Sequence, residues 1–407
     1  MGELKTKPLG DCSIMYTNSK LDGFWPDVDS ILSPDLLDCI VASSPTSDEM
    51  GEIQDETIDL LKSANYFGLA VPKEFEGGGY GLVHCCAVQR RIGSIDPGLA
   101  IALNMHLFSI GVVREHWSIC RDLSWALLEA IATQNKVVAS AFAEPRLAGN
   151  ILRSNCQAYR VDGGYIVSGR KSPCSLVRRC DLVCLQFEVD NELLIVLIPS
   201  HAQGLKVELT WDSMGMRSSE SDSLVLENCF IPEDLVFHRT VPGFDASPVF
   251  NAGLCWFSLT TTATYLGIVR AVLEIVCHQL KKSHLPSTKA TRADISAFQF
   301  VLGDIVAEFL TLESACLNTA SLMDSVDREF QQLLPRALAL KHAAIEQCTK
   351  SVTLAIELCG ASAYQRNSPL ARFWRDVQAI HFHPPTRFTS RQILGRWMLD
   401  LPYSFEL

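Results

Sequence analysis

Several features that would place this chain in a common functional class are missing from its sequence. Basic residues are in the minority, with 35 Lys and Arg against 46 Asp and Glu and a net charge of -11. We therefore expect no nucleic-acid partner, because binding a phosphate backbone needs clustered Lys and Arg. No apolar run approaches the length of a membrane span, so no membrane partner is expected either. The opening stretch MGELKTKPLGDCSIMYTNSK lacks the apolar segment of a secretory signal, which predicts a cytoplasmic protein.

Patterns for metal and nucleotide sites are absent as well. The chain has 15 cysteines, but they form no paired C-x-x-C motifs, so a metal site is not expected. The cysteines lie inside apolar stretches, such as Cys85-Cys86, which is typical of buried, reduced thiols. The run Gly77-Gly78-Gly79 makes a permissive loop, but without the Lys and Ser/Thr of a P-loop it does not indicate a phosphate site.

The apolar periodicity changes twice along the chain. Apolar residues recur at helical spacing up to about residue 135, and short β-rich runs separated by turns follow up to about residue 240. Asp162-Gly163 is a hairpin signal between two such runs. Beyond that point the pattern is helical again, with long apolar stripes typical of a bundle.

This order predicts an α+β fold with three domains after an irregular lead-in at residues 1–34. We expect an N-terminal helical domain at 35–135, a middle β domain built as a barrel or sandwich at 136–240, and a C-terminal four-helix-type bundle at 241–407. A chain of 407 residues, 48% of them hydrophobic, is long enough for two or three domains with cores of this size.

The stretch 357–391 holds the densest set of residues that could do chemistry. Its pattern predicts a helix end, a turn through Gly360, and a second amphipathic segment that stops at Pro384-Pro385. The stop is expected because proline removes a backbone N–H and clashes with the preceding turn. His381 and His383 stand just before this break, where polar atoms are free to meet a ligand. For His383, a helix cap bonded to backbone is the alternative to a reactive role.

A further histidine, His106, lies in the apolar helical stretch ALNMHLFSIG. A single histidine on an apolar helix is more often a core residue whose ring nitrogens are satisfied by the protein. That interpretation stands beside the second one, in which His106 lines a substrate pocket.

Several longer motifs carry a family resemblance. ASAFAEP is similar to a strand that ends in Glu-Pro, and GGYIVSGRKSPCS to a hairpin whose end approaches a cofactor. WDSMGMRSSESDSLVLENCFIPEDLV is similar to an M-G-x-R-x-S stretch, and CGASAYQRNSPLARFWRDV to a segment that ends in Arg-Asp. Together these motifs resemble the acyl-CoA dehydrogenase superfamily, and the likeness extends from about residue 35 to the end of the sequence.

The resemblance implies one FAD per subunit, held between the β domain and the C-terminal helices of a homo-oligomer, either a dimer or a tetramer. The flat flavin ring needs a dry apolar slot with a few polar donors. Carried over by position, the residues expected to bind the cofactor are Phe142, Ala143, Glu144, Ser175, Gly360 and Ala361. The residues expected to line the substrate pocket are His106, Phe257 and His381.

The chain departs from the family at the catalytic base. The family's dehydrogenases remove a proton alpha to a thioester carbonyl, a task suited to a desolvated carboxylate. Pro384 occupies the position of the usual Glu, and Phe257 falls at the alternative position, so neither base is present. His383 is the remaining candidate for the catalytic residue. Positions that commonly contact the flavin are also altered, namely Ala143, Pro173, Thr288 and Glu357.

Three functions are compatible with this pattern, and the resemblance favours the first of them. The first is an FAD-dependent dehydrogenase that oxidises the CH–CH bond of an acyl thioester, carried by CoA or an acyl-carrier protein, with His383 as base and an electron acceptor as partner. The second is a flavin-dependent monooxygenase that takes reduced flavin from a flavin reductase and uses O2, with His383 stabilising an oxygen-derived group. The third is a non-catalytic family member. The altered positions favour a specialised pathway, such as secondary metabolism.

Overall fold

The computed structural model describes residues 20–147, 149–243 and 248–402, so most of the lead-in lies outside the described residues. Helices come first, strands follow, and helices return, which confirms the α+β fold expected from the sequence. The first helices are α1 (Pro34–Met50), α2 (Asp55–Ser63), α3 (Leu82–Gly93), α4 (Pro97–Cys120) and α5 (Trp125–Thr133).

The first amphipathic part of the chain forms two separate helices, α1 and α2. α1 ends at Met50 because Gly51 adopts the left-handed conformation (φ 73°), and its N–H bonds to the carbonyl of Ser47. α2 begins at Asp55, and its acidic first turn suits the positive end of the helix dipole. The break between the two helices allows each of them to bury its own apolar face.

The middle part of the described chain contains two four-stranded sheets. Its strands are β1 (Val138–Ala141), β2 (Gln157–Val161), β3 (Gly164–Cys174), β4 (Leu182–Val189), β5 (Glu192–Pro199), β6 (Leu205–Glu208), β7 (Asp222–Pro232) and β8 (Val236–Thr240). The sheets have the orders β1-β4-β5-β8 and β2-β3-β7-β6. Their pairs are antiparallel apart from β1 with β4. The β2–β3 hairpin turns at Asp162-Gly163, as predicted, with φ of Gly163 at 75°.

The last group of helices supplies one wall of the site described below. Its members are α6 (Pro248–Lys282), α7 (Ser296–Met323), α8 (Phe330–Glu357), α9 (Pro369–Val377) and α10 (Arg387–Met398). A left-handed Gly360 (φ 71°) follows α8, and a 3-10 turn at Gln378–His381 follows α9. The two prolines interrupt the helical path as predicted, and α10 restarts with the Thr386 side chain as its cap.

Two helices, α4 and α6, are long and apolar enough by composition to cross a membrane. This corrects the expectation that no run of the sequence approaches that length. In each of them, 89% of the most apolar window is buried inside the protein. Both helices therefore pack as core elements, and α6 buries residues on all sides because it lies among α3, α4, α7 and α8.

The N-terminus of α3 is capped by a residue far along the chain. Asp324, directly after α7, accepts hydrogen bonds from the backbone N–H groups of Leu82 (2.7 Å) and Val83 (2.9 Å). Its carboxylate also interacts favourably with the positive end of the α3 dipole. Residue 81 must be glycine for this contact, because a Cβ there would lie 2.4 Å from Asp324 Oδ1.

We expect Asp324→Ala to lower the free energy of unfolding by about 1 kcal/mol, since it removes two bonds to otherwise unpaired helix N–H groups. Urea denaturation followed by circular dichroism measures the change. Asp327→Ala, in the exposed part of the same connection, is the matched control and should leave the midpoint unchanged. Equal midpoints for the two variants would show that the cap contributes nothing to stability.

Candidate active site

A row of aromatic side chains crosses the boundary between the β domain and the C-terminal helices. Phe142, just after β1, meets Phe108 of α4 edge to face at 5.5 Å between ring centroids. Phe108 meets Phe257 of α6 at 5.7 Å, and Phe257 meets the ring of His383 at 6.5 Å. Edge-to-face pairs at these distances are favourable. The structure thus brings together Phe142, Phe257 and His383, which the sequence placed at the site from separate motifs.

Two residues of the bundle hold His383 in place. Lys341 of α8 is fully buried and donates to the carbonyls of His383 (2.6 Å) and Pro385 (2.8 Å). The hydroxyl of Tyr265 on α6 lies 3.2 Å from Nδ1 of His383, and the two rings are 5.9 Å apart. The alternative interpretation of His383 as a cap bonded to backbone is not what the structure has, since its ring bonds to a tyrosine.

Burial decides the protonation of both groups. It lowers the pKa of His383 to about 3, and the nearby Lys341 cation acts in the same direction. Burial also lowers the pKa of Lys341 to about 7. The imidazole is therefore neutral throughout the physiological pH range.

The chain just after β1 is held by bonds to its carbonyl groups. The carbonyl of Phe142 accepts from Gln186 Nε2 (2.8 Å), and the carbonyl of Ala143 accepts from the N–H of Ser172 (2.8 Å). Ser172 belongs to β3, so the end of the β2–β3 hairpin lies against the Ala143 backbone. The two segments that the sequence assigned to the cofactor are therefore neighbours, and their contact is made through backbone.

The side chain of Glu144 does not face the site. It forms a buried ion pair with Lys171 and accepts from the Ser154 hydroxyl (2.6 Å) and the Asn155 N–H (2.6 Å). The expectation that Glu144 lines the flavin is thereby corrected for its side chain. The Lys171 cation stabilises this carboxylate inside the β domain, because an unpaired buried charge is costly.

Ser175 belongs to a chain of three hydroxyls. Its Oγ lies 2.7 Å from Oγ of Ser221, which lies 2.7 Å from Oγ of Ser219. Three hydroxyl protons serve two internal bonds, so one donor is left over for a group outside the chain. This spare donor fits the predicted role of Ser175 as a hydrogen-bonding partner of the cofactor.

His106 is a core residue, which corrects its assignment to the substrate pocket. Its Nε2 donates to the carbonyl of Phe67 (2.8 Å), and its Nδ1 accepts from the N–H of Val138 (3.1 Å). The residue is 1% exposed, and burial lowers its pKa to about 4. Both nitrogens are used, so the neutral ring ties α4 to β1 and to the preceding loop.

Three other predicted residues lie outside the aromatic row. His381 Nε2 lies 3.4 Å from the hydroxyl of Thr349 on α8, away from the contacts of His383. Gly360 and Ala361 are exposed, and no described atom lies within 4 Å of where a Gly360 Cβ would be. They border a separate cleft of about 1530 Å³ that includes Cys359 and Ser362 in its wall. Gly360 and Ala361 could contact the cofactor only through a part of it other than the flavin ring, or at a site formed with another chain. Their role in cofactor binding stays a prediction.

No role was predicted from the sequence for Tyr265, Lys341 or Phe108. Tyr265 follows Phe257 by eight residues, which places both on one face of α6. Lys341 stands within a buried apolar stripe of α8, an unusual place for a lysine without a carboxylate partner. Both signals were present in the sequence, but the contact of both residues with His383 became evident only in the fold.

The loop between β1 and β2 covers this region. Gly149 there is left-handed (φ 81°), and a Cβ on it would lie 3.3 Å from Cβ of Pro384. Gln186 Nε2, already bonded to the start of the loop at Phe142, also reaches the carbonyl of Ile151 (3.3 Å) at its end. The loop therefore lies beside the residue that follows His383 in the chain. Aromatic walls and a spare hydroxyl donor fit a flat aromatic cofactor such as a flavin.

Comparison with known proteins places this geometry in context. The family model of the acyl-CoA dehydrogenase N-terminal domain matches residues 40–116, and that of the acyl-CoA dehydrogenase C-terminal domain matches residues 259–388. Together they cover about half of the chain, and they include most of α4 and of α6, Lys341 and His383.

Similar proteins include enzymes of both expected kinds. Isobutylamine N-hydroxylase of Streptomyces viridifaciens is 28% identical over 345 residues, which covers 82% of this chain and 86% of that protein. Mitochondrial isovaleryl-CoA dehydrogenase of Solanum tuberosum is 27% identical over 346 residues, with 83% and 81% covered. FMN-bound TdsC from Paenibacillus sp. A11-2 has the same fold, with a TM-score of 0.79, 20% identity, and 93% and 98% of the chains covered. These likenesses support a flavin cofactor.

The depressed pKa of Lys341 predicts a pH dependence of stability. Between about pH 7 and pH 10 the unfolded chain binds the lysine proton and the folded chain does not, so stability should rise with pH by up to about 1.4 kcal/mol per unit from this group. In Lys341→Met, urea unfolding at pH 7 and pH 9 should show this rise lost. Lys350→Met, on the exposed face of the same helix, should keep it. An equal rise in wild type and Lys341→Met would mean that Lys341 is charged in the folded protein.

Proposed function

Because this chain belongs to the acyl-CoA dehydrogenase superfamily, we propose that it is a flavin-dependent oxidoreductase and, more narrowly, a monooxygenase. It would use O2 and reduced flavin to hydroxylate a small substrate, with a flavin reductase as its partner. The observation that carries this proposal is the neutral ring of His383 at the boundary between the β domain and the bundle. A neutral imidazole can donate or accept one hydrogen bond, but with a pKa of about 3 it is a poor base for a carbon acid.

The buried carboxylates are poor candidates for the missing base. Each buried carboxylate among the described residues forms an ion pair with an arginine or a lysine. These acids are Asp96, Glu115, Glu144, Glu220, Asp222, Glu313 and Asp376. A neighbouring cation lowers the tendency of a carboxylate to take up a proton, although burial still raises the pKa of Asp376 to about 6. This distribution of charge favours oxygen chemistry, which needs a hydrogen-bond donor at the site more than a strong base.

The chain's own residues have separable roles in this proposal. Reduced flavin would supply the electrons that activate O2. Phe142 and Phe257 form apolar walls, and the spare hydroxyl of the Ser175 chain orients the cofactor. His383 would donate a hydrogen bond to an oxygen atom of the reacting ligand. A dry site strengthens each hydrogen bond made inside it.

The second candidate is the acyl-thioester dehydrogenase. It is favoured by the 27% identity to an isovaleryl-CoA dehydrogenase over most of both chains. In that reaction His383 would have to act as the base, against the effect of its burial. The substrate would be carried by CoA or by an acyl-carrier protein.

Flavin reduction distinguishes the two candidates. Under anaerobic conditions, flavin-loaded protein should stay oxidised when isovaleryl-CoA and other acyl thioesters are added. With NADH, a flavin reductase and air, it should convert a member of a panel of amines, thioethers and aromatic compounds into a hydroxylated or S-oxidised product, seen by mass spectrometry. Bleaching of the flavin by a thioester would establish the dehydrogenase instead, and failure to bind any flavin would reject both.

We expect His383→Ala to reduce product formation at least tenfold in that assay, because the ligand oxygen atom loses the hydrogen bond from the imidazole. The fold should persist, since the ring makes one hydrogen bond and the backbone bonds from Lys341 do not involve the side chain. His201→Ala, on an exposed turn of the β domain, is the control. Full product formation by His383→Ala would remove this residue from the mechanism.

A further inference from the structure

The Tyr265 hydroxyl and the His383 ring form an isolated pair. Tyr265 is 0% exposed, and its oxygen lies 3.2 Å from Nδ1 of His383. No second acceptor for the tyrosine proton is found in the described part of the chain. Nε2 of His383 likewise has no partner there, although the residue is partly exposed. The pair therefore has one internal hydrogen bond and one ring nitrogen without a partner among the described residues.

Counting donors and acceptors fixes the direction of this bond. If Nδ1 carried the proton and donated to the tyrosine oxygen, the tyrosine O–H would be buried without an acceptor, which is costly. If the tyrosine donates to Nδ1, both buried groups are satisfied. The neutral ring must then carry its proton on Nε2, the open nitrogen.

Burial keeps the ring in this neutral form. Below about pH 7 the Lys341 ammonium on α8, which faces the His383 backbone, also disfavours a positive charge on the ring. Burial raises the pKa of the Tyr265 hydroxyl, and Asp376 on α9 and Cys348 on α8 act in the same direction. The tyrosine therefore keeps its proton and remains a donor. Phe257 packs edge-on against the imidazole and offers it no hydrogen bond.

We propose that Tyr265 is a positioning residue that donates to Nδ1 of His383 and so fixes the proton on Nε2, which is then available as a hydrogen-bond donor to a ligand. The ligand group recognised there is an oxygen atom with lone pairs, neutral or anionic. This inference rests on the proposed function for its catalytic meaning, but the tautomer itself is a property of the protein alone.

The first test measures the tautomer directly. Long-range ¹H–¹⁵N correlation spectra of protein labelled with ¹⁵N-histidine report which ring nitrogen carries the proton, and a His383→Gln spectrum identifies the signals of this residue. We expect a single Nε2–H form in wild type, unchanged from pH 6 to pH 8. In Tyr265→Phe, the Nδ1–H form should become populated to a measurable extent.

Tyr66→Phe is a matched control for this experiment. Tyr66 is also fully buried, but its hydroxyl has no hydrogen-bond partner among the described residues, so its loss should leave the His383 signals as in wild type. An Nδ1–H form in wild type would overturn the proposal. So would a tautomer in Tyr265→Phe that does not differ from that of wild type.

The second test follows the consequence for turnover. In the reductase-coupled assay, Tyr265→Phe should lower the product formed per O2 consumed at least threefold with little change in KM, and Tyr66→Phe should not. An unchanged ratio in Tyr265→Phe would reject the catalytic part of the inference. If acyl thioesters reduce the flavin instead, the proposed function fails while the NMR result still decides the role of Tyr265 in fixing the tautomer.

Discussion

The ion cluster around Arg372 is the interaction on which the relative placement of the three domains depends. Its guanidinium lies 2.9 Å from Asp96, the cap of α4, and 3.4 Å from Asp376 one turn along α9. It also donates to the carbonyl of Ser44 in α1 (3.0 Å). Asp376 accepts in turn from the N–H of Met216 in the β domain (2.6 Å). One short helix is therefore bonded to both other domains.

Burying such a cluster of charges costs free energy of folding, and leaving one of the buried charges unpaired costs more. Burial raises the pKa of Asp376 to about 6, although the Arg372 cation opposes the shift. Removing the arginine would leave several buried carboxylates without compensation. The cluster thereby selects one arrangement of the domains, because only that arrangement brings every charge to a partner. The segment from α9 to His383 follows directly from Asp376, so the junction also determines where this segment begins.

The features that could be predicted from the sequence are those with local signals. Helical and β periodicities gave the order of the domains, Asp162-Gly163 gave a hairpin, and Pro384-Pro385 gave the end of a helical segment. Each depends on residues close in the chain, and the structure has all of them.

The hydrogen-bond and ion-pair partners of side chains at the site could not be predicted, because they join residues that are far apart in the chain. Glu144 pairs with Lys171 across two strands, and His106 bonds to Phe67 and Val138 on either side of its helix. In each case a polar group assigned to a ligand is used by the protein. A sequence motif identifies the residue type and its backbone position, but not which of several possible partners the fold brings within reach.

A proline at the position of the usual carboxylate, with a histidine directly before it, changes more than one side chain. Burial raises the pKa of a carboxylate and so improves it as a base near neutral pH, whereas burial lowers the pKa of an imidazole and makes it a weaker one. The same apolar walls, including Phe257, therefore have opposite effects on the two groups. A desolvated imidazole is useful where a neutral donor must be held in a fixed direction, and Lys341 and Tyr265 supply that fixation from the backbone and from the ring. The bundle holds His383 as a rigid hydrogen-bonding group. The proposed oxygen chemistry at a flavin requires a group with this property.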